Sequence, residues 1–149
     1  MRIALDAMGG DHAPGPIVAG AVQAVQADPD LHVVLVGDQA QVEPLLAGAD
    51  RARLELFHCT QVVGMEESPV FALRKKPDNS ISRCWQLLAE KKVDAVVSAG
   101  NTAEMLPAQP KSIRALSCAI WAPTFSTLGC CRYISSSITS AAKCNRIRR

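Results

Sequence analysis

From residue 3 to residue 99, short apolar runs of strand length alternate with segments of helical period, joined by brief connections. A chain patterned this way has few choices: each strand, helix, strand unit lays its strands parallel and puts helices over the sheet. Val33-Val34-Leu35-Val36 is apolar without interruption, as expected of a strand buried on both faces. Arg2-Ile3-Ala4-Leu5, Leu54-Glu55-Leu56-Phe57-His58 and Asp94-Ala95-Val96-Val97-Ser98 supply three more strands. Val18, Ala21, Val22 and Val25 recur at helical spacing and define the apolar face of a helix ending near Asp28-Pro29-Asp30. Asp38 is placed to cap a second helix that runs through Val42, Leu45 and Leu46 and stops at Gly48. A third helix is expected after Pro77, with Ile81, Cys84, Trp85 and Leu88 on one face and Lys91-Lys92 at the negative end of its dipole. The fold class is α/β.

The 149 residues suffice for one domain and one ordinary core. Aromatic residues make up only 4%, so Ala, Val and Leu must fill that core, which suits Val-rich strands under Ala-rich helices. The net charge of +2 conceals an asymmetry. Through Glu104, nine basic residues face 14 acidic ones, a balance of −5, and the seven basic residues beyond give +7. Cys118, Cys130, Cys131 and Cys144 crowd the same tail. They form neither a disulfide framework nor a zinc site, since Cys130-Cys131 lacks the two-residue spacer and every histidine lies at or before His58. No leader-like apolar run follows Arg2, so a cytoplasmic location is expected. The longest uncharged stretch, residues 115–131, is 17 residues long and contains Pro123. A spanning helix needs roughly 20 apolar residues, so none is expected. The basic end lacks the aromatic interleaving of a nucleic-acid surface.

The chemistry concentrates at strand exits. Asp6-Ala7-Met8-Gly9-Gly10-Asp11-His12-Ala13-Pro14-Gly15 follows the first strand with two carboxylates, an imidazole and a double glycine. Gly9-Gly10 permits positive φ and lets backbone amides turn toward an anion. The glycine spacing is neither that of a Walker loop nor G-x-G-x-x-G, so neither a generic nucleotide site nor a nicotinamide-dependent dehydrogenase is indicated. The alternative is a tight turn in which Asp11 caps the next helix. Asp6, Asp11 and His12 would need further ligands from elsewhere to hold a metal, and neither metal nor cofactor is expected. Ser98-Ala99-Gly100-Asn101-Thr102 leaves the fourth strand with side chains suited to phosphate or a carbonyl oxygen, at the sheet end where such folds bind ligands. An Asx turn is the plainer reading there. Arg74-Lys75-Lys76 puts three cations before a helix start. His58-Cys59 reads as core or surface filler, because neighbours on a strand point to opposite faces.

Together, the loop from Asp6 to Pro14, Lys75-Lys76-Pro77 with Ser80, and the block from Asp94 to Thr102 resemble the bacterial phosphate acyltransferase family of phospholipid synthesis. The resemblance implies a three-layer parallel, Rossmann-like sheet related to phosphotransacetylase and isopropylmalate dehydrogenase folds. It implies acyl transfer from an acyl carrier protein thioester to inorganic phosphate, without a cofactor, by a homodimer that is soluble or peripherally associated with membrane. Carried onto this chain, the amides of Gly9 and Gly10 with Asn101 and Thr102 are expected to hold phosphate or the oxyanion. Asp6, Ser80, Ser98 and Gly100 belong to the same phosphate site, and Lys76 offsets its charge. Asp11 and His12 orient the nucleophile or handle a proton, and Arg74 and Lys75 receive the acidic carrier protein.

The resemblance covers residues 1–102; from Ala103-Glu104 onward the sequence is basic, Cys/Ser-rich and without helix or strand period. A single cause accounts for the joint loss of acidic residues and periodicity, namely out-of-frame translation joined to the authentic part, leaving the sheet incomplete and the chain a noncatalytic fragment or weak anion binder. Translating the other forward frames of the DNA downstream of Thr102 is expected to recover a family-like continuation; its absence from both would refute that origin.

Overall fold

The computed structural model describes residues 1–61 and 75–100 and the two-residue strand at 118–119. Strands β1 (Arg2–Asp6), β2 (His32–Gly37), β3 (Leu54–His58), β4 (Ala95–Ser98) and β5 (Cys118–Ala119) form one sheet in the order β3-β2-β1-β4-β5. Every pairing is parallel, with Leu5 level with Leu35 on one side and with Val97 on the other. The expected α/β sheet is present and open. The expected irregular tail lies outside the described residues apart from β5, which is too short to leave a periodic trace in sequence.

Alternation along β1 sorts the two faces. Ile3 and Leu5, with Val33, Leu35 and Val97, pack against Ile17, Val18, Ala21 and Val25 of helix α1 (Gly15–Ala27). Ala4, Val34, Val36 and Val96 pack against Ile81, Cys84, Trp85 and Leu87 of helix α3 (Ser80–Ala89). Helices therefore cover both faces, giving three layers. Trp85 is almost completely buried at 1% exposure and is the largest side chain in this layer. Truncation of such a residue to alanine typically costs about 3–5 kcal/mol.

Asp38 caps helix α2 (Gln39–Val42) as expected, accepting from the Ala40 amide at 3.0 Å. The single helix expected through Leu46 instead tightens into a 3-10 turn over Glu43–Leu46. Pro44 is the physical cause: it has no N–H to bond back to Ala40, and its ring crowds that carbonyl.

A polar clamp ties the exit of β3 to the start of α3. The Thr60 amide and hydroxyl both donate to Asp78 Oδ2, and Arg83 Nε donates to Asp78 Oδ1 at 2.6 Å. The Asp78 amide donates to Gln61 Oε1, and the Gln61 amide returns to the Asp78 carbonyl. The Thr60 hydroxyl, then Arg83, pull the Asp78 carboxyl down to about 2. Because the folded value lies below the unfolded one, this contribution to stability is complete above about pH 4. It is lost as pH falls toward about 2. Urea unfolding across this window is expected to show an acid limb that Asp78→Asn flattens; an unchanged limb would refute the clamp.

Candidate active site at the switch point of the sheet

From β1 the chain moves by way of α1 to β2 on one side, whereas β4 enters on the other side of β1 after α3 has crossed the opposite face. The C-terminal ends of β1 and β4 thus flank the point where the winding reverses, the crevice in which open α/β sheets take their ligands. The two glycine-bearing exits meet there.

Asp6 ends β1 on the face shared with Ala4, toward α3, and is 4% exposed. Its Oδ1 accepts from the Met8 amide at 3.1 Å, and its Oδ2 accepts from the Ser98 hydroxyl at 2.8 Å. Ser98 Oγ in turn accepts from the Gly100 amide at 3.0 Å. This chain of bonds joins residues 92 positions apart. Burial raises the Asp6 carboxyl above its usual range, outweighing the opposite pull of the Ser80 and Ser98 hydroxyls and the Met8 and Gly9 amides.

Packing at this junction requires glycine. A Cβ at Gly9 would stand 2.6 Å from Asp6 Oδ2 and 2.9 Å from both Ser98 Oγ and the Gly100 amide nitrogen. Gly10 has φ +101°, and a Cβ there would come within 3.2 Å of the Ala99 carbonyl. Met8 closes the β2 side: a Cβ on Gly37 would lie 3.1 Å from Met8 Sδ. The loop after β1 therefore fits backbone to backbone against the exit of β4.

The start of α3 forms a third wall. Asn79 is fully buried; its Oδ1 accepts from the Ser82 amide at 2.7 Å, and its Nδ2 donates to the Lys76 carbonyl at 2.7 Å. This N-cap orders the helix start and also fixes the backbone beneath the basic loop. Ser80 follows at 6% exposure, and its hydroxyl is close enough to Asp6 to pull on that carboxyl. The positive end of the α3 dipole consequently lies beside the buried carboxyl.

Of the residues singled out in the sequence, Asp6, Gly9, Gly10, Ser80, Ser98 and Gly100 come together at this junction. Asp11 and His12 are exposed on the loop after β1, and Lys75 and Lys76 precede the start of α3. Arg74, Asn101 and Thr102 lie outside the described residues. Asp11 does not cap α1: that position belongs to Pro14, without a side-chain cap. The cap at Asn79 went unread, although an Asn three residues before Ser82 and just after Pro77 is a recognisable N-cap signal.

Cys59 and Cys84 are both buried, and neither acts as a thiolate at neutral pH. Burial, with Asp6 adding to it, pushes the Cys59 thiol up to about 12 and the Cys84 thiol well above its usual value. Among the described residues no group of three His, Cys, Asp or Glu is placed to hold a metal ion. Among them, too, no helix is long and apolar enough to cross a membrane.

The family described as fatty acid synthesis protein matches residues 1–129. A phosphate acyltransferase of Heliobacterium modesticaldum is 50% identical over 112 residues, which cover 72% of this chain and 33% of that protein. Those of Pseudomonas putida F1 and Alkaliphilus oremlandii are 46% and 44% identical over 107 and 108 residues, covering 70% and 71% of this chain and 32% of each relative. The chain thus spans about a third of the length of the curated relatives it matches.

Gly9→Ala is expected to destabilise the fold by about 1–3 kcal/mol in urea unfolding, because backbone as well as side chains must move to admit the methyl group. Gly15→Ala is the control: nothing lies within 4 Å of its Cβ position. Its effect is expected to stay within about 0.5 kcal/mol. Equal effects at the two positions would contradict the packing described.

Proposed function

The chain belongs to the fatty acid synthesis protein family, and from that membership we propose that it carries the phosphate-handling loops of a phosphate acyltransferase. The reaction is acyl transfer from an acyl carrier protein thioester to inorganic phosphate, yielding acyl phosphate for phospholipid synthesis. The observation that carries the reading is the meeting of two glycine-bearing strand exits at the switch point of the sheet, the place where open α/β sheets take their ligands.

In this reaction a phosphate oxygen attacks the thioester carbonyl; the C–S bond breaks as the new C–O bond forms, and the carrier leaves as its thiol. Such chemistry needs a polyanion held beside an acyl carbon and donors preset for the oxyanion. Gly10, Asn101 and Thr102 supply donors to phosphate or the oxyanion, while Gly9 lets its loop pack directly on the exit of β4. Lys76 offsets phosphate charge at the start of α3. Asp11 or His12, exposed at the rim, orients the nucleophile or takes up a proton. Asp6 stands behind these groups, because a carboxylate with both oxygens already engaged is poorly suited to meet an anion. Arg74, Lys75 and Lys76 form the basic approach for an acidic carrier protein, and the full-length working unit is a homodimer in the cytoplasm, soluble or peripherally associated with membrane.

A second reading is anion binding without turnover. It is supported by the exposure of Asp11 and His12 to solvent, away from the buried junction. Phosphate-dependent release of thiol from acyl carrier protein thioester separates the two. Where thiol is released, the apparent KM for the carrier is expected to rise several-fold on charge reversal at Arg74, Lys75 and Lys76, most at low salt. Phosphate binding without thiol release would favour the second reading, and a salt-independent KM would refute the docking site.

A further inference from the structure

Asp6 has no access to a ligand, yet it is the most heavily bonded group at the junction. Its two oxygens address the two loops separately: Oδ1 takes the Met8 amide of the β1 exit, and Oδ2 takes Ser98, which holds the Gly100 amide of the β4 exit. Sheet pairing between β1 and β4 reaches only Leu5 and Val97, so beyond those residues backbone ladder bonds no longer hold the exits together. The side-chain bridge continues the pairing where the ladder stops.

We propose that Asp6 and Ser98 are a positioning pair, which locks the β4 exit against the Gly9-Gly10 loop and so sets the gap that receives the anion. The inference rests on the reading of this junction as a phosphate site. Met8, Gly9 and Gly100 keep their backbone amides on the far side of the loops directed inward to Asp6 and Ser98, and the outward backbone is left for the ligand. Burial, with the Asp6 charge adding to it, raises the thiols of Cys59 beyond β3 and Cys84 on α3. Burial likewise moves the Asp6 titration upward from the usual carboxylate range.

The test is a pH titration of the full chain followed by amide 15N–1H spectra, with and without inorganic phosphate. In the unmodified chain the Met8 and Gly100 amides are expected to titrate with one shared midpoint, above the ordinary carboxylate value of about 4. Ser98→Ala is expected to abolish the Gly100 titration, spare that of Met8, and weaken phosphate binding by about five- to tenfold. Should Ser98→Ala fail to fold, Ser98→Cys keeps the volume with a weaker bond and is expected to reduce the Gly100 amplitude. A Gly100 amide that does not follow Asp6, or phosphate affinity unchanged in a Ser98 variant that has lost that titration, would overturn the positioning pair. If the unmodified chain binds no phosphate, the functional reading fails, and the shared midpoint alone then decides whether the pair couples the loops.

Discussion

Strand β1 is hydrogen-bonded to a parallel neighbour along both edges and covered by helices on both faces, and the rest of the molecule is arranged around that full enclosure. Beyond the exposed Arg2, a strand so placed has no polar backbone left for solvent and no side chain free to project into it. Any chemistry it contributes must appear at its end. Asp6 is the last residue of the strand, the first position where a polar group becomes affordable, and it is still buried enough that its carboxyl departs from ordinary behaviour.

The same enclosure explains why α3 matters more to the site than α1. The even-numbered positions of β1 face α3, so Ala4 packs on the body of that helix and Asp6 reaches its first turn. Asn79 and Asp78 then fix the helix start, one by capping it and the other by tying it to Thr60 after β3. Three strand ends are thereby linked: β3 through Asp78, β1 through Asp6, and β4 through Ser98. The crevice is a consequence of the sheet order, and these polar links determine its shape.

Strands β1 to β4 and the helix faces were legible because they are written in local period. The apolar run at Val33 to Val36 and the spacing of Ile81, Cys84 and Trp85 state their surroundings within a few residues. Asp38 was legible as a cap for the same reason. The 3-10 turn at Glu43–Leu46 was written at Pro44 but masked by the apolar spacing of Leu45 and Leu46. What no local pattern encodes is the bond between Asp6 and Ser98, which exists only once β4 has inserted beside β1. The glycines were visible as turn formers, while the need for glycine at Gly9 comes from atoms of residues 6, 98 and 100.

Gly100 constrains Gly9 more than Gly9 constrains Gly100. A side chain on Gly9 would meet the Gly100 amide nitrogen at 2.9 Å, whereas one on Gly100 would stand in ordinary contact 3.5 Å from the Gly9 Cα and be tightest at 3.2 Å from Ser98 Oγ. Neighbours this close are not expected to change independently. Through sequence drift, the seam acts as one inherited character divided between two distant codons, in which the glycine of the first loop is held by the path of the second.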